Sequence, residues 1–104
     1  CKFYKNFYHG IVALEQTELN MKDCKIFGNG NKEGRYPQMW IENSIANIEN
    51  TEVYESVNGN GIYVESGGVL LYKVRTYGNS YGVYAECNRC VAIKDCEIKD
   101  GVYP

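Results

Sequence analysis

Two stretches decide the fold: Gly61-Ile-Tyr-Val-Glu-Ser66 and, starting eight residues after its end, Val74-Arg-Thr-Tyr-Gly-Asn79. Both recur along the chain. The second is a frame that also starts at Cys1, Cys24, Thr51 and Cys96, so successive starts lie 23, 27, 23 and 22 residues apart. The first returns as Gly10-Ile-Val-Ala-Leu-Glu15, Gln38-Met-Trp-Ile-Glu-Asn43, Gly82-Val-Tyr-Ala-Glu-Cys87 and Gly101-Val-Tyr-Pro104. A self-similar period of this size predicts a solenoid, in which each repeat buries its apolar side against the next.

Alternation within the repeats predicts strands, because successive side chains on a strand point to opposite faces. It places Ile11, Met39, Ile62, Val83 and Val102 inward, together with Ala13, Ile41, Val64 and Ala85. A third segment puts Leu19 and Met21, Ala46 and Ile48, Val69 and Leu71, and Val91 and Ile93 inward. The frame adds Phe3, Ile26, Val53, Thr76 and Ile98. Three short strands per coil are expected, hydrogen-bonded in parallel from coil to coil. No window carries apolar residues at helical spacing for long, so no helix is expected.

Turns should fall at two columns. Asn6, Asn29, Ser56 and Asn79 sit five residues into the frame, while Asp23, Asn50 and Asp95 precede it, with Lys73 as the exception. Asn and Asp accept left-handed backbone and bond neighbouring amides, and stacked amides can bond along a column.

The runs Gly61-Ile-Tyr-Val-Glu-Ser-Gly-Gly, Gly82-Val-Tyr-Ala-Glu and Asp95-Cys-Glu-Ile resemble the right-handed parallel β-helix repeats of pectate-lyase-like proteins and of carbohydrate-binding or sugar-hydrolase domains. The likeness covers essentially the whole chain. It implies an all-β solenoid of about four and a half coils, one unit over residues 1–104 with coils beginning near 1, 24, 51, 74 and 96. The start at a frame without Met and the stop inside a strand predict a segment of a longer chain, flanked by further coils or caps. Such repeats serve lyases, hydrolases, epimerases, adhesins and scaffolds alike, so the fold leaves function open.

With 11 basic and 13 acidic residues interspersed, the chain lacks the basic stripe that a nucleic acid requires. It also lacks an apolar run long enough for a helical membrane span. Cys1, Cys24 and Cys96 occupy the inward position filled by Thr51 and Val74, and read as small core residues. Cys87-Asn-Arg-Cys90 reads as a turn, because no second ligand pair accompanies it. Reduced thiols lean toward an intracellular compartment. His9, the single histidine, precedes a turn glycine and reads as structural.

The candidate site is an outward column of Val12, Trp40, Tyr63, Tyr84 and Tyr103, flanked by Leu14, Glu42, Glu65 and Glu86. Three readings stay open: an aromatic ladder that only stabilises the sheet, a protein interface anchored by Tyr and Trp, or a platform for sugar rings. The one long step inserts about four residues within Gly30–Gln38, and Lys32, Glu33, Arg35 and Tyr36 are expected to overhang the column. A second column, Tyr4, Phe27, Tyr54 and Tyr77, reads as structural. The expected function is a recognition or scaffold module that binds a protein partner and needs no cofactor. The alternative, which rests on the resemblance, is a polysaccharide lyase or hydrolase. That alternative implies Arg35, Glu65 and Glu86 as catalytic candidates and Glu42, Glu65 and Glu86 as calcium ligands if the chain is a lyase.

Overall fold

A computed structural model describes residues 2–87 and 90–103. It is a parallel β-solenoid of about four turns, without helix among the described residues. The frame segments form β1 (Lys2–Tyr4), β4 (Lys25–Phe27), β6 (Glu52–Tyr54), β8 (Arg75–Tyr77) and β11 (Glu97–Ile98), which pair in that order as one parallel sheet. The other segments form a second parallel sheet. Its members are β2 (Ile11–Leu14), β3 (Glu18–Lys22), β5 (Met39–Glu49), β7 (Ile62–Tyr72), β9 (Val83–Ala85), β10 (Val91–Lys94) and β12 (Val102–Tyr103).

The registers follow the repeat. Phe3, Ile26, Val53, Thr76 and Ile98 align across the first sheet. Ile11, Met39, Ile62, Val83 and Val102 align across the second. Their side chains meet between the sheets, where Ile26, Met39, Ile41, Ile48, Val53, Ile62, Val64, Leu71, Val74 and Val83 lose essentially all solvent contact. Each such burial stabilises by about 1.5–3 kcal/mol. Ile93 and Val102, expected inside, are 43% and 46% exposed because they lie in the last described turn, covered from one side only. Cys24 is buried and unpaired, Cys96 is half-buried, and the core position of Cys1 lies outside the described residues.

Three short strands per turn is corrected in the middle of the stack. There the second and third segments run on as single eleven-residue strands, β5 and β7. The corner is taken up inside the ladder by a bulge: Asn43 is left-handed (φ 49°) and the register slips on either side of Glu42. Opposite it, Gly67 (φ 114°) lies so close to the Ser44 backbone that a Cβ would collide with the Ser44 carbonyl. In the first turn Glu15 and Gln16 are both left-handed and separate β2 from β3.

The turn columns are also redistributed. Asp23, Asn50, Lys73 and Asp95 are left-handed, as the column before the frame requires. At the other end of the frame the left-handed residues are Lys5, Gly28, Glu55 and Gly78, one position ahead of the asparagines. The asparagines themselves turn inward. Asn29 is fully buried; its amide donates to Phe3 O (3.1 Å) and accepts from Asn6 N (3.2 Å). Asn79 repeats both contacts two rungs later, donating to Val53 O (3.0 Å) and accepting from Ser56 N (3.2 Å). Ser56 is too short for that role, and Gln38 takes it. The Gln38 Oε1 accepts from Asn29 N (3.3 Å) and Nδ2 (3.0 Å), and its Nε2 donates to Tyr54 O (2.7 Å) and Asn79 Oδ1 (2.8 Å). Asp100 closes the ladder by accepting from Asn79 N (2.9 Å) and Nδ2 (2.8 Å). A continuous polar spine thus runs along the axis with its amides satisfied, which is the condition for burying them.

Candidate functional site

The insertion is pinned to the turns on either side. Gly30 N donates to Asn6 O (3.0 Å), Asn31 Nδ2 to Phe7 O (2.9 Å), and Asn58 Nδ2 to Gly34 O (3.2 Å). Gly59 packs against the Tyr36 backbone so tightly that any Cβ would strike the Tyr36 carbonyl. The expected overhang is therefore realised by Arg35 and Tyr36, which reach the aromatic column at Trp40 and Tyr63. Lys32 and Glu33 lie exposed on the insertion and line none of the cleft that results.

That cleft, of about 340 Å³, is lined by His9, Arg35, Tyr36, Pro37, Trp40, Asn60 and Tyr63. His9 Nδ1 stands 2.7 Å from Pro37 O, so Nδ1 carries the proton and Nε2 of the neutral ring keeps its lone pair. The ring lies 5.6 Å from Tyr36 and 5.3 Å from Trp40, centroid to centroid. Tyr36 in turn meets Tyr8 edge-on at 4.8 Å, and Tyr8 meets Phe7 in the same way at 4.8 Å. Phe7 and Tyr8 are 58% and 52% exposed, so the aromatic surface continues outward from the cleft. His9, Phe7 and Tyr8 lie between β1 and β2 and belong to no column, so the repeat carries no signal for them. A Phe-Tyr-His run beside the position of an insertion was the one available signal.

Polar groups at the cleft are left with capacity. Arg35 is exposed and pairs with no acid among the described residues. Asn60 accepts a hydrogen bond from Tyr81 N (3.2 Å) through Oδ1, which leaves its amino group. Trp40 Nε1 is buried without an acceptor.

Further along the column, Tyr63 and Tyr84 stack face to face at 5.5 Å, and Tyr81 meets Tyr84 edge-on at 5.9 Å. Each ring of the pair covers one face of the other. Tyr103 aligns with Tyr84 through its backbone. Burial, together with a hydrogen bond to Glu86 and its negative charge, pushes the Tyr63 phenol far above its ordinary value.

The acidic column is altered by the bulge. Glu42 pairs with Ser66 in the ladder rather than with Glu65. The two carboxyls nevertheless meet: a hydrogen bond to Glu42, reinforced by its charge, raises the pKa of Glu65. Glu86 is engaged with Tyr63, so the three Glu are not gathered around one point, and no cluster of three metal-ligating side chains occurs among the described residues.

The other columns are internally satisfied. Tyr4, Phe27, Tyr54 and Tyr77 form a stack with spacings of 5.1, 4.9 and 4.8 Å. Beside it, Lys25, Glu52, Arg75, Glu97 and Lys99 form a chain of ion pairs. A wider hollow of about 440 Å³ over Asn20, Asn47, Leu70 and Tyr72 is edged by groups that already bond each other, Lys22 to Glu49 and Asn47 to Asn20. Cys87 and Cys90 are joined in a disulfide, which corrects the reading of a turn with free thiols and removes these two from the argument for a reducing compartment. No helix of the described residues is long and apolar enough to cross a membrane. No family model matches this chain, and no curated protein and no solved structure matches it either.

Proposed function

We propose that the protein is a recognition module that binds a protein partner through the aromatic surface running from Phe7 and Tyr8 across the Trp40 cleft to Tyr63 and Tyr84. The observation that carries this reading is the combination at the cleft. Exposed aromatic rings lie contiguous with Trp40 and with an Arg that pairs with no acid among the described residues. Trp, Tyr and Arg are the side chains that most often anchor protein interfaces, and contiguous exposed aromatic area is uncommon on a surface without a binding role.

One feature weighs against the carbohydrate enzyme of the pectate-lyase-like resemblance. The Tyr63–Tyr84 pair buries ring faces on which a sugar would pack.

The test is a side-by-side screen of the intact labelled protein on a peptide array and a glycan array, with Tyr8→Ser as the comparison because Tyr8 is exposed and its loss spares the core. Peptides held by the wild type and lost by the variant support the reading. Retention of glycans alone contradicts it.

A further inference from the structure

The charge pattern of the site narrows what kind of peptide it takes, an inference that rests on the recognition reading above. The cleft end offers donors: the Arg35 guanidinium and the amino group of Asn60 have no acceptor among the described residues. Its volume, about 340 Å³, lies near the lower end of the ~300–1,000 Å³ typical of ligand sites, which suits one side chain rather than a long ligand. The neighbouring end has the opposite character. Glu42 and Glu65 follow Trp40 and Tyr63 by two residues on β5 and β7, a displacement of about 7 Å along an extended strand. The two glutamates stand on adjacent, hydrogen-bonded strands, where like charges repel and a cation beside them is favoured. The face is therefore dipolar, with a cationic cleft beside an acidic pair. A polyanion would gain at Arg35 and be repelled at the glutamates; a polycation would meet the reverse.

We infer that the site binds an extended peptide segment with an acidic and a basic side chain two positions apart, the carboxylate seated in the Trp40 cleft on Arg35 and the base over Glu42 and Glu65. The flanking apolar side chains lie against Tyr36 and Tyr8. The spacing takes its scale from the ~7 Å by which Glu42 and Glu65 follow Trp40 and Tyr63 along their strands, which is the reach of two residues of extended peptide.

Trp40 is the single tryptophan of the chain, so its fluorescence reports on this cleft alone. The intact protein is titrated with capped five-residue peptides that carry Asp and Lys two positions apart, in both orders. Versions with the Asp replaced by Asn or the Lys by Gln, and acidic and neutral oligosaccharides, complete the panel. One order of the Asp/Lys peptide is expected to change Trp40 emission saturably, and removing its acid weakens binding about 1.5- to fivefold, the range of an exposed ion pair. Arg35→Gln produces the same loss, and the two changes together cost little more than either alone. Glu42→Gln stands in the same relation to the basic residue, and high salt weakens the wild-type complex. Equal binding of the neutral peptides overturns the inference while peptide recognition survives. A response to oligosaccharides alone overturns both. Silence of Trp40 toward every probe overturns the inference, and the arrays then decide the recognition reading by themselves.

Discussion

At the scale of single residues, the exchange between Gln38 and Ser56 shows how the stack tolerates an irregular turn. The Gln38 position belongs to a column that is glycine at positions 10, 61, 82 and 101, and the Ser56 position to a column that is otherwise asparagine at 6, 29 and 79. The long side chain delivers an amide to the rung where the short one cannot. Gln38→Gly should therefore orphan the buried Asn29 amide and cost about 1–3 kcal/mol in urea unfolding. Ser56→Asn alone should also destabilise, since two amides then compete for one space. The double variant should recover most of the loss, and strict additivity of the two costs would refute the rung exchange. The columns were legible in the sequence, but the direction of the asparagines was not: a turn-forming residue and a buried hydrogen-bonding residue are the same residue type, and the left-handed position lies one residue earlier, at Lys5, Gly28, Glu55 and Gly78.

A second residue-scale expectation concerns Glu65. Its folded-state pKa is raised through Glu42, so the folded chain binds more protons than the unfolded chain between the ordinary carboxylate value and the raised one. Stability from this group falls as pH rises through that window and stays lower above it. Glu65→Gln should flatten the acid limb of the stability profile without destabilising the protein at neutral pH. A variant that is less stable at neutral pH than the wild type would argue that the pair is attractive in some other way.

At the scale of elements, the alternation of the sequence was enough for the strands, their parallel order and nearly every register. It missed the fusion of two segments into β5 and β7, because a bulge keeps pairing intact through a corner that composition marks as a break. The same slip moves Glu42 opposite Ser66, a one-residue difference that no pattern in a single chain reveals. The insertion was legible as a loop over the aromatic column, whereas its seating on Gly59 depends on a backbone contact between turns. Gly59→Ala should push the Tyr36 segment outward and open the cleft. The expected result is a shifted Trp40 emission maximum and weakened peptide binding, with the unfolding midpoint reduced far less than by a core substitution. An unchanged emission spectrum would mean that the insertion does not shape the cleft.

At the scale of the whole molecule, each turn packs mainly on its neighbours, Gln38 alone among the named contacts reaching past one to Asn79, so stability should vary along the stack. The second and third turns are covered on both sides and contain the fully buried Met39, Ile41, Ile48, Ile62, Val64 and Leu71. Amide hydrogen exchange should be slowest in β5 and β7 and faster in β1, β11 and β12; uniform protection would contradict a stack stabilised turn by turn. The proposed binding face crosses the first, second and third turns and continues to Tyr84 in the fourth. A partner that fastens on it ties the first turn, through Phe7 to His9, to the protected centre.

Recognition at the Trp40 cleft is tested most directly by mapping amide chemical shifts of the intact protein during titration with the tightest-binding peptide. The expected perturbations fall on Phe7–His9, on Arg35–Glu42 and on Asn60–Glu65, and spare the frame strands β4, β6 and β8. Shifts confined to the frame sheet, or to the hollow over Asn47 and Leu70, would contradict the claim that the Trp40 cleft is where this solenoid recognises its partner.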